Sequence, residues 1–248
     1  MPETGSDSWS GAGRFDATAW GDILILAGDP RSPDYPPAGE RFCQTYREPV
    51  YWFVRRKDHL REEAEDLTQD FFAWLFGEQI LAHVTLEGGK FRSFLVTVLK
   101  NFLVSEWKRW RAGKRAGGKV HIPFDDATET RYLNGLIDQE TPEAAFDRRW
   151  VEGLLEQVLA RLGAEYAAKE NGKLFECLKG RFPGGQKEVS YEEASQILGM
   201  KIEAVREAAH RLKCRYGELL RQAVAAPGMT PGQIDEELHY LMTLLSPR

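Results

Sequence analysis

FRSFLVTVLKNFLVSEWKRWRAGKRAGGK, residues 91–119, joins an apolar helical pattern to a dense basic and aromatic end. Phe91, Phe94, Leu95, Val98, Leu99, Phe102 and Leu103 recur at helical spacing, which places them on one buried face, and Val96 and Val104 widen it. Beyond Ser105 the pattern changes to Trp107, Lys108, Arg109, Trp110, Arg111, Lys114, Arg115 and Lys119, with Glu106 the only acid in the stretch. Lysine and arginine neutralise phosphates and release counterions, and a flat indole stacks on an unpaired base, so this end suits a single-stranded nucleic acid. The same residues also suit a solvated helix end whose cations favour the C-terminal dipole and whose indoles pack on a neighbour. The rest of the chain decides between the two.

The helix before it carries the opposite charge. In AEDLTQDFFAWLF, residues 64–76, the expected buried stripe is Ala64, Leu67, Phe71, Trp74 and Leu75, leaving Glu65, Asp66, Gln69 and Asp70 on the other side. From Glu62 to Asp70 there is no cation, whereas residues 90–119 are almost purely basic. The formal net charge of -5 is therefore a poor guide, because local clustering governs binding. A chain charged in this bipolar way suits two different partners. At 248 residues, 42% hydrophobic and 29% charged, it is long enough for one large or two small soluble domains, and two small ones fit better.

Cys43, Cys177 and Cys214 are far apart and odd in number, which offers neither a disulfide framework nor a zinc spacing. No apolar run approaches membrane-spanning length, and the N-terminus lacks a signal-peptide pattern, so the expected location is the cytoplasm, with no membrane insertion. Neither a metal nor a cofactor is expected. Residues 1–13 are rich in Gly and Ser and read as disordered. Asp16 or Thr18 is placed to cap a short helix with Trp20, Ile23, Leu24 and Ala27 on one face, ended by Gly28-Asp29-Pro30. Pro30 to Pro37 reads as an extended connector, followed by a helical pattern from Glu40 to His59 that Pro49 should kink or break. Residues 121–145, with Thr141-Pro142 and few apolar runs, read as a linker with little helix, after which Phe146 to Lys169 resumes a helical pattern.

The sharpest local signal lies further on. Ser190-Tyr191-Glu192-Glu193 is a capping box opening a helix from Tyr191 to Leu198, and Gly199 supplies a turn. In the next helix Ile202, Val205, Ala209, Leu212, Tyr216 and Leu219 share one face, completing a helix-turn-helix pattern. Its other side holds Glu203, Glu207, His210, Arg211 and Cys214, flanked by Arg206 and Lys213, residue types that contact bases and phosphates in a major groove. An ordinary helical hairpin with a charged outer face has the same outline. Thr230-Pro231-Gly232-Gln233 then caps a last helix whose Ile234, Leu238, Leu241, Met242 and Leu245 need a partner surface. Asp235, Glu236 and Glu237 at its start are placed to meet a basic surface such as Arg206 to Arg215.

No frame for catalysis emerges. Glu87-Gly88-Gly89-Lys90 lacks the spacing of a phosphate-binding loop, and there is no HExxH or GxSxG. The ordered set AEDLTQDFFAWLF, KFRSFLVTVLKNFL and VSYEEASQILGMKIEAVREAAHRLKCRY resembles a sigma-70 family RNA polymerase sigma factor of the extracytoplasmic-function type, over roughly Glu40 to Leu220. The terminal helices resemble those of a subgroup frequent in planctomycete-like bacteria. The resemblance implies an all-α fold of two helical domains joined by a flexible linker. Its parts would be an N-terminal extension with a short helix at 1–38, a region 2-like bundle at 39–119 and a linker at 120–145. A region 4-like helix-turn-helix domain at 146–226 and a C-terminal helical extension at 227–248 would follow.

By the same resemblance the chain would be a non-enzymatic promoter-specificity subunit that directs transcription initiation on promoter DNA. Glu65, Asp66, Gln69 and Asp70 would dock on the beta-prime clamp of the polymerase core, with a second contact on the beta flap. Asn101, Trp107, Lys108, Arg109, Trp110 and Arg111 would capture the minus-10 element. Lys201, Arg206, Glu207, His210, Arg211 and Lys213 would serve the minus-35 element. The acidic linker residues Asp125, Asp126, Glu129, Asp138 and Glu140 match the segment that threads toward the RNA exit path. The resemblance leaves room for an anti-sigma factor or another regulator. Three departures from the family pattern stand out. Lys201 replaces the usual small hydroxyl residue and cannot cap through its side chain, Glu203 and Glu207 bring carboxylates to the DNA side, and Gly217 interrupts a long helix. The rival reading is a helix-turn-helix regulator that works without polymerase.

Overall fold

A computed structural model describes residues 20–84, 91–111, 126–136, 140–183 and 188–245, and of residues 109–111 the helical backbone only. The expectations for residues 1–19, Lys114, Arg115, Lys119, Asp125 and Asp138 lie outside the described residues. Among the described residues every regular element is helical, so the fold is all-α. No helix among them is long and apolar enough to cross a membrane.

The first helix, α1 (Trp20–Leu26), buries Trp20, Ile23 and Leu26. Its inward face is turned from the expected one, and Leu24 is 48% exposed. The second, α2 (Tyr35–Arg55), starts earlier than expected because Pro36 and Pro37 fall in its first turn, where a missing N–H leaves no hydrogen bond unmade. Pro49 lies inside α2 without ending it. The buried side chains of Tyr46, Val50 and Phe53 on either side hold the helix through the lost bond.

In α3 (Arg61–Gly77) the innermost residues are Ala64, Thr68, Phe71, Phe72 and Leu75. Leu67 and Trp74, expected there, are half-buried. The core tolerates Thr68 because its hydroxyl donates to the Ala64 carbonyl at 2.7 Å. Helix α4 (Phe91–Arg111) buries Phe91, Leu95, Val96, Leu99 and Phe102, but its apolar face stops short of Val104, which is 53% exposed. Phe91 packs edge-on to Trp20, Phe42 and Tyr46, with centroids 5.5–6.0 Å away, and Phe102 meets Phe71 and Trp74 at 5.5 and 5.3 Å. These rings fix α4 against α1, α2 and α3.

The stretch expected to be a linker contains α5 (Asp126–Asn134) and the start of α6 (Pro142–Ala167). Tyr132 anchors α5, its ring edge-on to Trp52 of α2 at 5.7 Å. Gly135 follows because a Cβ there would stand 2.6 Å from Cη2 of Trp52. Thr141 caps α6, its Oγ1 accepting from the Ala144 N–H at 3.2 Å, and Pro142 opens the first turn.

Helix α6 is the spine. It buries Phe146, Trp150, Val151, Leu154, Leu155, Val158, Leu159 and Leu162 and lies along α2, the most extensive helix pairing among the described residues. It also packs on α7 (Gly172–Leu178), on α9 (Ile202–Val224) and on α10 (Pro231–Leu245). Helix α8 (Tyr191–Leu198) joins α7 to α9. Buried apolar residues from Trp20 to Leu241 form one continuous cluster. The partner surface needed by α10 is supplied by α6 and α9. Of the acids at its start, Asp235 pairs with Arg221 and Glu237 with Arg92.

Candidate nucleic-acid interface

The helix-turn-helix is built from local bonds. Ser190 Oγ accepts from the Glu193 N–H at 3.1 Å, and Glu193 Oε2 accepts from the Ser190 N–H at 3.0 Å, closing the capping box of α8. Gly199 ends α8 in the left-handed region at φ 63, and the Met200 N–H returns to the Ser195 carbonyl at 3.1 Å. The Ser195 hydroxyl donates to the Met200 carbonyl at 2.5 Å, bracing the same turn. Lys201 precedes α9 in an extended conformation and makes no side-chain cap bond. The helix nonetheless runs unbroken through Gly217 to Val224, because Val205, Ala208, Leu212, Tyr216 and Leu219 are buried along it.

Burial of that face leaves Glu203, Arg206, Glu207, His210, Arg211, Lys213 and Cys214 exposed on α9, with Lys201 exposed just before it. Every residue assigned to upstream DNA is thus exposed, on the outer side of α9 or, for Lys201, directly before it. Arg211 lies 3.8 Å from Glu207, so a neighbouring cation offsets that carboxylate. Cys214 Sγ contacts His210 Nε2 at 3.6 Å. Arg215 belongs to the scaffold: its guanidinium donates to both oxygens of Glu165 on α6, at 2.8 and 2.7 Å, and to Glu218 at 2.8 Å. Chiefly for that reason the Glu165 carboxyl is held below the usual carboxylate range.

Two residues that sequence reasoning passed over stand at the entrance to this face. Tyr191, the first residue of α8, has the Arg181 guanidinium 3.8 Å from its ring centroid and the Arg206 guanidinium 5.7 Å away. Both lie within cation–π range. Arg181 is fixed by the Val189 carbonyl at 2.5 Å and by Glu188 at 3.0 Å. An aromatic residue directly after a serine cap was the one sequence signal available.

On α4 the residues assigned to unpaired bases follow one exposed edge. Asn101, Val104, Trp107 and Lys108 are exposed, and Trp107 is 54% accessible. Arg109, Trp110 and Arg111 continue the helix, but their side chains lie outside the described residues. On α3, Asp66 is exposed while Glu65, Gln69 and Asp70 are half-buried. Glu65 accepts from Arg61 at 2.8 Å, and Arg61 also reaches Asp126 of α5 at 2.8 Å, so the acidic face is partly compensated by its own helix. The three residue sets occupy α3, the end of α4 and α9 with the residue before it.

A cavity of about 220 Å³ opens between α2, α5 and α6, lined in part by Glu48, Arg131, Arg149 and Trp150. Its cations are engaged by Glu48. Among the described residues no group of three His, Cys, Asp or Glu side chains is arranged to hold a metal ion. Compared with known proteins, the chain matches no family model, no curated protein and no solved structure.

Proposed function

We propose that the chain is a promoter-specificity subunit of the sigma-70 family, extracytoplasmic-function type, which binds RNA polymerase core and directs initiation. In this reading residues 39–119 and 146–226 are two helical units. In the described state they pack together through α2 and α6. The observation that carries the proposal is the pairing, in one chain, of a capped helix-turn-helix with an outward cationic helix and a second helix whose exposed edge ends in Trp107 and Lys108. The first suits duplex DNA and the second suits an unpaired strand. A protein that both recognises and opens a promoter needs both.

The deciding experiment mixes purified protein with polymerase core and measures promoter-dependent run-off transcription. Transcript that appears only with the chain present is the expected result. Trp107→Ala should then reduce strand opening more than duplex binding, because stacking is worth about 1–3 kcal/mol per base and needs an unpaired base. The exposed α9 face would also serve a regulator that binds duplex DNA alone. Upstream protection without core, together with no run-off product, would favour that second reading.

A further inference from the structure

The C-terminal helix reaches past its neighbours to α4. Arg92, near the start of α4, is buried, and Glu237 of α10 holds its Nη2 at 2.5 Å. Asp147 of α6 lies 3.4 Å from Arg92 Nε, and the guanidinium stacks over the Trp150 ring at 4.2 Å. Tyr240 of α10 approaches Asp147 from the other side, its hydroxyl 3.4 Å from Oδ2. One cation of α4 is therefore enclosed jointly by α6 and α10. Neither DNA reading nor polymerase docking, as proposed above, calls for this contact.

The build of α10 suits a detachable part. It carries its own cap, with the Thr230 N–H donating to Gln233 Oε1 at 2.8 Å, and it follows a non-helical segment in which Gly228 takes φ 85. Of its fifteen residues only Glu237 and Leu241 are buried. Elements with few buried contacts open at the lowest free energy. The Glu237–Arg92 attraction is offset in part by the desolvation of two charges, and that part is regained when departure of α10 opens both to water. The exposed Arg221–Asp235 pair at 2.9 Å adds a contact that salt screens.

We propose that α10 is an intramolecular clasp: Glu237 seated on Arg92 holds the start of α4 against α6, and release of α10 loosens α4 while α8 and α9 stay folded. Any effect on promoter opening rests on the role proposed for α4, whereas the clasp itself does not.

Hydrogen exchange on the full chain, read by mass spectrometry, tests it without DNA. In Glu237→Lys, which sets a cation against Arg92, amides of α10 and of residues 91–99 should exchange about tenfold faster, with those of 202–212 unchanged. Faster exchange confined to α10 would overturn the clasp, since α10 would then only extend the α6–α9 packing. No change in either segment would overturn it too. Should the lysine variant unfold, Glu237→Gln keeps the shape and adds no charge; acceleration spread over the whole chain in both variants would show that α10 is not separable. Promoter binding by the same proteins is a separate readout, so failure of the clasp and failure of the promoter reading are told apart.

Discussion

Glu48 of α2 and Arg149 of α6 meet at 2.6 Å across 101 residues of chain, and both are buried. Arg131 of α5 donates to the other oxygen of the same carboxylate, so one side chain joins three helices. Glu48→Ala would take the closest acceptor from Arg149 and leave it Glu156 at 3.2 Å and Glu152 at 3.5 Å, so the loss should approach but not exceed the about 3–5 kcal/mol of a buried pair broken from one side. The urea midpoint, at constant m, reads this directly. A loss under about 1 kcal/mol, as for an exposed pair, would mean that this ion pair is solvated and that apolar packing alone joins α2 to α6.

The same interface predicts acid sensitivity. Burial opposes the charge on Glu48, Glu129 and Glu140, but guanidiniums outweigh it: Arg131 and Arg149 for Glu48, Arg55 for Glu129, and Arg148 and Arg56 for Glu140. Each carboxyl is held below its ordinary value of 4.5. A depressed folded-state value gives stability that is fully present above the unfolded value and is lost as pH falls through the folded one. Urea midpoints should therefore show no loss from these groups between about pH 7 and 5, then fall steeply below about pH 4. A steep loss already at about pH 6 would assign the transition to other groups.

The α8 turn offers a test of local structure. Ser190→Ala removes the acceptor for the Glu193 N–H and should cost about 0.5–2 kcal/mol. Gly199→Ala meets no atom within 4 Å but must hold φ 63, so its cost is backbone strain of about 1–2 kcal/mol. Thermal unfolding followed by circular dichroism measures both. If Gly199→Ala is neutral, the turn has relaxed out of the left-handed region.

Much of this architecture was legible because helical periodicity and caps are local. The Ser190–Glu193 box, the Tyr191–Leu198 helix and the apolar face of α9 follow from residues within one or two turns of each other. Helix α5 has no periodic apolar run to announce it, because its holds are distant contacts: Tyr132 on Trp52, Glu129 with Arg55 and Arg131 with Glu48. The inward rotation of α3 depends on Thr68 bonding its own backbone, which a count of apolar residues does not register. Arg92 belongs to a basic stretch, and its partner Glu237 lies 145 residues on, beyond the reach of any local pattern. On the candidate surfaces the residue types were readable, while their pairing, such as Arg61 with Glu65 and Arg215 with Glu165, was not.

The proposed polymerase contact on α3 is tested by charge reversal. Asp66→Lys with Asp70→Lys alters one side of α3 while leaving Ala64, Phe71 and Leu75 in the core. Complementary charge mainly sets encounter rate and partner choice, so co-purification with core should be lost at moderate salt with helicity unchanged. Retained binding would move the contact elsewhere.

Tyr191 and Arg206 together test how upstream DNA is read. Arg206 is exposed near the start of α9 with its guanidinium 5.7 Å from the Tyr191 ring, while Arg181 occupies 3.8 Å on the same ring. A ring so placed limits the directions that Arg206 samples, and ordering a long cation before binding lowers the entropy lost on contact. Arg206→Ala should cost about 1–3 kcal/mol at one base-pair position if it reads a base, or weaken all sites alike with a shallower salt slope if it meets phosphate. Tyr191→Ala should reproduce part of that pattern at the same position, and Tyr191→Phe, which keeps the ring, should restore it. Quantitative footprinting over single-base promoter variants separates these outcomes. An effect of Tyr191→Ala that is uniform over all variants and not rescued by phenylalanine would mean that the ring supports α8 and does not position Arg206.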